Sequence, residues 1–184
     1  KLKNCPEWPI IYWGLLMAWY IPFLIDAKLP KENVEVLIKD SKAVAVITHE
    51  TVAFSVLTIN YTTLKYGPTP DFQEYWANNT IFCSSGTTGN VKLIIYDGNN
   101  MCHQIASALC LPNRTQDLMH YKKINIICIL PFHHIFGYVA VFLWYSFFGK
   151  NLVFIKDTSA IEILMTSQKC KVTHAYAVPL LWDA

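Results

Sequence analysis

The sequence predicts an α/β fold in which a largely parallel sheet is flanked by helices. Continuous apolar runs of strand length recur along the chain, for example at residues 43–48 and 124–130. Amphipathic helical segments, such as residues 31–40, alternate with these runs. A strand that is apolar along its whole length is typical of a parallel sheet, because helices cover both of its faces. The alternation itself is the pattern of an α/β domain.

The first part of the chain predicts a helix, a strand, a helix and a second strand. Residues 13–20 are apolar on every side, which predicts a helix buried nearly all round, and residues 21–25 follow as a strand. The helix over residues 31–40 carries its apolar residues on one face. These residues are Val34, Leu37 and Ile38. Together with the strand at residues 43–48, the order is that of a βαβ unit with a right-handed crossover.

The central part of the chain is built around a strand that opens at Thr80. Residues 65–79 contain glycine and prolines and therefore predict a loop. Residues 52–63 fit a helix and a strand equally well, so both remain open. The strand that opens at Thr80 enters a polar loop, and residues 93–96 leave that loop as a return strand.

The last part of the chain continues the alternation. Residues 101–111 predict a helix that ends at Pro112, and turn and N-cap residues precede it at 97–100. Residues 124–130 predict a buried strand. The remaining elements are a buried helix over residues 137–148 that Gly149 ends, a strand over 151–155, an amphipathic helix over 160–168 and a strand over 172–177.

Composition limits the classes of function. The chain has 184 residues, a net charge of +2, a single arginine and no basic run longer than two lysines. Nucleic-acid binding needs a basic stripe or patch, so this class is disfavoured. The six cysteines are scattered without a CxxC pair, which argues against a zinc site and favours a reducing cytosol. We therefore expect a cytoplasmic protein.

The high apolar content leaves two interpretations. Only 15% of residues are charged and the mean hydropathy is +0.28, so the chain either meets a membrane or is a piece of a larger protein. Residues 124–148 are long enough to span a bilayer. They contain two adjacent histidines near their middle, His133 and His134, which are costly in lipid. A buried strand, a turn and a buried helix in a piece of a larger domain are the preferred prediction.

Residues 84–92 form the stretch with the strongest chemical signal. They combine four hydroxyl side chains, two glycines and a lysine in nine residues. A glycine-punctuated turn leaves backbone N–H groups free to point at an anion, which predicts a loop for nucleotide phosphates. Only two residues separate Gly86 from Gly89, and Lys92 lies three beyond, so the loop is neither a Walker A motif nor a dinucleotide fingerprint. A polar hairpin turn is the alternative interpretation.

Two segments carry a resemblance to the adenylate-forming enzymes, the superfamily of acyl-CoA synthetases, luciferases and nonribosomal-peptide adenylation domains. Residues 84–92 resemble its phosphate loop, Thr-Ser-Gly-Thr-Thr-Gly-x-Pro-Lys-Gly, with matches at residues 85–89 and Lys92. Residues 130–137 resemble its Leu-Pro-x-x-His-x-x-Gly segment, and His134 falls on the histidine. A looser likeness covers most of the chain. The loop departs from the signature at Ser84, Val91 and Leu93.

The resemblance implies a reaction and a set of roles. A carboxylic acid reacts with ATP in the presence of Mg²⁺ to give an acyl-adenylate, and coenzyme A then takes the acyl group. The hydroxyls, the glycines and the lysine of the loop would bind the ATP phosphates: Ser84, Ser85, Gly86, Thr87, Thr88, Gly89 and Lys92. His134 would lie between the acyl pocket and the thiol channel as a catalytic residue. No side chain is assigned to the metal. The apolar, aromatic helical segment 138–148 favours a fatty or aryl acid as the substrate, as in fatty acid metabolism.

The resemblance also implies an incomplete active site. Residues 1–184 correspond to part of the large N-terminal domain, and the later motifs and the C-terminal domain with its catalytic lysine are absent from this sequence. The chain alone is therefore expected to be inactive. Two alternatives stay open: a non-catalytic relative that binds nucleotide or acyl ligand, and a membrane protein. Gly98 stands where the family often has histidine, and this departure favours the non-catalytic relative.

Overall fold

The computed structural model of the chain describes residues 1–65, 67, 76–84, 91–114 and 123–179, without the side chains of 111–114. The chain divides into two compact units. The first contains Lys1–Lys3 and Trp8–Ile95, and the second contains Asn4–Glu7 and Tyr96–Ala184. Helices and parallel strands occur in both units, which confirms the predicted α/β class.

The first unit holds most of the early elements. In chain order, its described elements are α1 (Glu7–Met17), β1 (Phe23–Leu24), α2 (Lys31–Ser41), β2 (Ala45–Thr48), β3 (Leu57–Asn60), a short 3-10 helix (Tyr61–Thr63), β4 (Thr80–Ser84) and β5 (Lys92–Tyr96). The segment at 52–63, which fitted either structure, therefore contains a strand.

The strands of the first unit form two separate sheets. One has the order β1-β4-β5, and β1 pairs parallel with β4. The other joins β2 and β3 in parallel, with Ala45 opposite Leu57 and Thr48 opposite Asn60. The predicted βαβ unit is therefore wrong, because β1 takes β4 and β2 takes β3 as partner. Strand β1 is only two residues long and follows Pro22, which lacks the N–H that a longer ladder needs.

Helix α2 fits the prediction from its periodicity. Its residues Val34, Leu37 and Ile38 are buried, and they pack with Ile25 and Val46 into one core cluster. At the end of the helix, Lys42 adopts a left-handed conformation with φ of 55° and donates its N–H to the carbonyl of Ile38. This left-handed ending is a common way to satisfy the last carbonyls of a helix.

Helix α1 differs from its prediction. It begins at Glu7, and its buried residues are Trp8, Tyr12 and Leu16, which lie four apart on one face. Within the predicted range 13–20, the helix ends at Met17, and Trp19 is 55% and Tyr20 54% exposed, so the expectation of a helix buried on every side is wrong. Apolar residues lie on every side of this helix, so the sequence alone could not show which face packs against the interior. The chosen face is fixed by the Tyr12 hydroxyl, which lies 2.8 Å from the Thr80 hydroxyl in the interior.

The second unit contains one described sheet of three strands with β6 in the middle. In chain order, its elements are α3 (Gly98–Arg114), β6 (Asn125–Ile127), a π-helix (Gly137–Leu143), α4 (Trp144–Phe147), β7 (Asn151–Val153), α5 (Ala160–Lys169) and β8 (His174–Ala175). Both β7 and β8 run parallel to β6. The carboxyl ends of all three strands therefore face the same edge of this sheet.

Helix α3 is capped within residues 97–100 as predicted, but it begins at Gly98 rather than at residue 101 and ends later than predicted. Asp97 accepts a hydrogen bond from the N–H of Asn100 at 2.8 Å, and Asn100 accepts one from the N–H of Asp97 at 3.1 Å. This reciprocal pair is a capping box, which satisfies two backbone donors. The predicted end at Pro112 is wrong, since the helix continues to Arg114. A proline removes only one backbone donor, so a helix can pass through it at a cost in free energy.

The buried helix after β6 has an unusual first half. All residues of Gly137–Leu143 are buried, as predicted, but they form a π-helix. The N–H of Trp144 donates to the carbonyl of Val139, five residues back. Gly149 follows the end of α4 with φ of +63°, which confirms its role as the helix stop. Within the part of the chain that the structure describes, none of the helices combines the length and the apolarity that crossing a membrane requires.

The buried contact between Tyr12 and Thr80 predicts a measurable cost. Tyr12→Phe leaves the buried Thr80 hydroxyl without this partner, and we expect the free energy of unfolding to fall by about 1–3 kcal/mol. Urea unfolding of the full-length protein measures it. Tyr20→Phe is the matched control, because Tyr20 is 54% exposed. Equal stability of the two variants would contradict the role given to this hydrogen bond.

Candidate functional site

The turn after β6 places the predicted histidine at the ligand-binding edge of its sheet. His134 donates its N–H to the carbonyl of Pro131 at 3.1 Å, and its own carbonyl accepts the N–H of Tyr138 at 2.9 Å. The backbone of His134 thus joins the turn to the π-helix. Its side chain is exposed. In parallel sheets, ligands bind outside the carboxyl ends of the strands, which is where this residue lies.

Gly137 is required by a close approach of two backbone segments. A Cβ at this position would lie 2.3 Å from the carbonyl oxygen of Pro131 and 3.0 Å from that of Leu130. Such distances are far shorter than any normal contact, so a side chain here forces the turn or the helix to move. The spacing Leu-Pro-x-x-His-x-x-Gly has a physical basis: the glycine lets the helix pass directly beneath the turn that carries the histidine.

A side chain from the start of the chain holds the same turn. Asn4 donates from Nδ2 to the carbonyl oxygens of Cys128 at 3.0 Å and Leu130 at 2.8 Å. Its Oδ1 accepts the N–H of Phe132 at 3.0 Å. Sequence reasoning missed this residue, because more than 120 positions separate it from its partners and a single asparagine carries no local pattern.

Aromatic residues from β8 and α4 complete the edge. Tyr176 follows β8, and its ring centroid lies 6.3 Å from that of Phe136, two residues beyond His134. Its hydroxyl lies 3.1 Å from that of the buried Tyr145. Burial, and after it the hydrogen bond and the charge of Tyr176, raise the pKa of the Tyr145 phenol, which therefore stays neutral. The parallel pairing of β6 with β8 brings Tyr176 to this edge, and that pairing was not evident in the sequence.

The phosphate loop is flanked by two described residues, one with a hydroxyl and one with an ammonium group. Ser84 ends β4 and is half-buried, whereas Lys92 begins β5 and is exposed. The two strands are neighbours in one sheet, so the structure brings the ends of the loop together. An exposed ammonium and a hydroxyl are donors that fit a polyphosphate. The predicted phosphate contacts Ser85, Gly86, Thr87, Thr88 and Gly89 lie outside the described residues.

The two parts of the predicted site belong to different units. Ser84 and Lys92 lie in the first unit, and His134 lies in the second. Each part is located at the carboxyl end of a central strand of its own sheet, β4 in one case and β6 in the other.

The cysteines near these segments are not poised for chemistry. Burial raises the pKa of Cys83, next to the phosphate loop, to about 11. Burial raises the pKa of Cys128 to about 12, against a smaller opposite effect of its hydrogen bond with the backbone of Val153. Both thiols are therefore protonated at neutral pH, and neither supplies a thiolate nucleophile.

Comparison with known proteins gives a family and a fold. The sequence profile of the family described as AMP-binding enzyme matches residues 2–184. Among solved structures, o-succinylbenzoate CoA synthetase from Bacillus subtilis in complex with the acyl-adenylate intermediate OSB-AMP has a TM-score of 0.83 at 21% identity, over 100% of this chain and 49% of that chain. The same enzyme in complex with ATP and magnesium ion has a TM-score of 0.82 at 20% identity, over 100% and 50%.

A second enzyme shares the fold. A fatty acyl CoA synthetase from Mycobacterium tuberculosis has a TM-score of 0.76 at 16% identity, over 98% of this chain and 38% of that chain. The chain thus spans about half the length, or less, of the solved structures that it resembles. At such low identity the likeness concerns the fold, and it confirms the predicted α/β architecture of the N-terminal domain of adenylate-forming enzymes.

The contact at Gly137 predicts a sharp difference between two glycines. Gly137→Ala places a methyl group against the backbone of Pro131, and overpacking of this kind costs about 1–3 kcal/mol of unfolding free energy. Gly14→Ala is the control: it lies in α1 with nothing within 4 Å of its Cβ position, so the change should stabilise by roughly 0.5–1 kcal/mol. Thermal and urea unfolding measure both. If the Gly137→Ala protein is as stable as the unaltered one, the turn can move without a cost in free energy, which would contradict this prediction.

Proposed function

Because the chain belongs to the AMP-binding enzyme family, we propose that it forms part of an enzyme that activates a carboxylic acid with ATP. The observation that carries this proposal is the family match over residues 2–184, which includes both motifs. The reaction joins a carboxylate to the α-phosphorus of ATP and releases pyrophosphate. The product is an acyl-adenylate, and a thiol then attacks its acyl carbon to form a thioester while AMP leaves.

The first step needs positioning more than proton transfer. A carboxylate is already a nucleophile, so no general base is required. The protein has to hold two anions together and to stabilise the charge on the leaving pyrophosphate. In this proposal Lys92 supplies positive charge at the phosphates, and its exposed position at the start of β5 supports that role.

The remaining loop residues complete the phosphate site in our proposal. Hydroxyl side chains donate hydrogen bonds to the phosphates, and glycines let the backbone approach them closely. The donors are Ser84, Ser85, Thr87 and Thr88, and the glycines are Gly86 and Gly89. Mg²⁺ bound together with ATP would neutralise charge that develops on the phosphates. We assign no side chain of this chain to the metal.

We propose coenzyme A as the acceptor and a fatty or aryl acid as the substrate. His134 is exposed at the carboxyl end of β6, where it can contact the acyl group and the incoming thiol. The aromatic pair Phe136 and Tyr176 lies beside it and offers an apolar surface for such an acid. The solved structures with this fold include a complex with OSB-AMP and a fatty acyl CoA synthetase, which fits an acid of either kind.

We also propose that the protein works in the cytoplasm. All six cysteines lie among the described residues, and all are free thiols. Free thiols persist in a reducing compartment, whereas secreted domains form disulfides. The rest of the active site, including the catalytic lysine of a C-terminal domain, would come from outside residues 1–184.

A non-catalytic relative is the second candidate. Val91 and Leu93 depart from the proline and glycine of the phosphate-loop signature, and Gly98 stands where the family often has histidine. These departures leave the fold intact and concern only the groups around the phosphates. A protein of this kind would bind nucleotide or acyl ligand without turnover, and a kinetic assay separates the two candidates.

Pyrophosphate–ATP exchange tests the proposed reaction. The full-length protein, given a panel of fatty and aryl acids, should exchange label between pyrophosphate and ATP only when its acid is present. Residues 1–184 alone should show little exchange. Binding of ATP without exchange by the full-length protein would support the non-catalytic candidate, and robust exchange by the isolated chain would refute the incomplete active site.

The charge of Lys92 has its own test. Lys92→Met removes a charged hydrogen-bond donor. The expected loss of about 1.5–3 kcal/mol of transition-state stabilisation corresponds to roughly a 10- to 100-fold fall in kcat/KM for ATP. Lys39→Met is the matched control, because Lys39 is an exposed lysine in the last turn of α2. Equal kinetics for the two variants would remove Lys92 from the phosphate site.

A further inference from the structure

We propose that Asn4 is a positioning residue that holds the turn of His134 in its reactive geometry. This inference rests on the proposed function, because it gives Asn4 a role that acts through His134. Asn4 does not itself contact the substrate. It is bound to the backbone of the segment between β6 and His134, and to no other described group that carries chemistry.

The three contacts of Asn4 require a carboxamide. Two of its partners are carbonyl oxygens, of Cys128 and Leu130, and the third is the N–H of Phe132. Only a side chain with two donors on one atom and an acceptor on the other satisfies all three at once. Aspartate of the same size has no donor and would face the two carbonyl oxygens with its negative charge. The chemistry of the partners also fixes which end of the amide points which way.

These contacts hold the segment that follows β6. The ladder between β6 and β7 continues as far as the N–H of Cys128, which donates to Val153 at 2.8 Å. Leu130 and Phe132, which come next, are buried. Buried backbone groups need hydrogen-bond partners, and Asn4 supplies three such bonds within residues 128–132.

The fixed segment leads directly to His134. Phe132 is held by Asn4, and Pro131 accepts the N–H of His134 while lying against Gly137. Tyr138 binds the carbonyl of His134 from the other side. The backbone of the histidine is therefore hydrogen-bonded on both sides of the turn. If Asn4 is removed, the turn loses one of its two anchors, and a displacement of about 1 Å can reduce a rate by roughly 100-fold.

The experiment compares Asn4→Asp and Asn4→Ala with Asn33→Asp in the full-length protein. Asn33 is exposed in the first turn of α2 and serves as the control for the added charge. Hydrogen exchange at the backbone amide of Phe132 measures whether the turn keeps its hydrogen bond to Asn4. We expect both Asn4 variants to lose protection there and kcat for thioester formation to fall by about 10- to 100-fold, with KM for ATP changed less than twofold. Asn33→Asp should match the unaltered protein.

A double variant separates positioning from general stability. If Asn4 acts through His134, then Asn4→Ala should reduce kcat only slightly when His134→Ala is already present. Equal losses in both backgrounds, or unchanged kcat together with retained protection at Phe132, would overturn the inference. If the Asn4→Ala protein fails to fold, Asn4→Asp replaces it, and its effect on kcat is compared with and without His134→Ala.

The same data distinguish this inference from the proposed function. A full-length protein that is inactive with every acid refutes the function. Hydrogen exchange then decides the structural part alone: lost protection between Phe132 and Tyr138 supports the anchoring by Asn4, and retained protection refutes it. An active enzyme whose Asn4 variants keep normal kcat refutes the inference and leaves the function standing.

Discussion

The close approach of the Gly137 backbone to the carbonyl of Pro131 is the contact on which the second unit depends. It brings the start of a buried helix directly under the turn that ends β6. The same carbonyl accepts the N–H of His134, so one oxygen atom fixes both the path of the helix and the place of the histidine. Asn4 supports the turn from its other end. The backbone that carries the exposed His134 side chain is thereby hydrogen-bonded on both sides.

The sequence predicted the fold where the pattern had a single physical solution. The buried face of α2 followed from its periodicity, and Gly149 ended a helix with a positive φ, which glycine adopts without strain. The prediction failed where several solutions share one pattern. Helix α1 is apolar on all sides, so its packed face depends on the distant Thr80. Strand partners are likewise non-local, which is why β1 and β2 were wrongly joined.

The same distinction applies to the candidate site. Its contiguous motifs, around Lys92 and His134, were visible because residue types at fixed spacing carry the chemistry. Asn4 and Tyr176 were not visible, because each reaches the site only through tertiary contacts. A local sequence pattern predicts the structure of one segment, whereas a tertiary contact depends on two segments that are distant in the sequence. The parts of the candidate site that the sequence did not show are thus the ones that depend on contacts between distant segments.

The fate of the carboxylate oxygen tests the central claim most directly. The full-length protein is incubated with ATP, Mg²⁺, coenzyme A and an acid labelled with ¹⁸O in its carboxyl group, and the nucleotide product is analysed by mass spectrometry. Attack of the carboxylate on the α-phosphorus, followed by cleavage of the bond between carbon and oxygen by the thiol, predicts AMP that carries one ¹⁸O atom. Unlabelled AMP, or ADP as the product, would contradict acyl-adenylate formation.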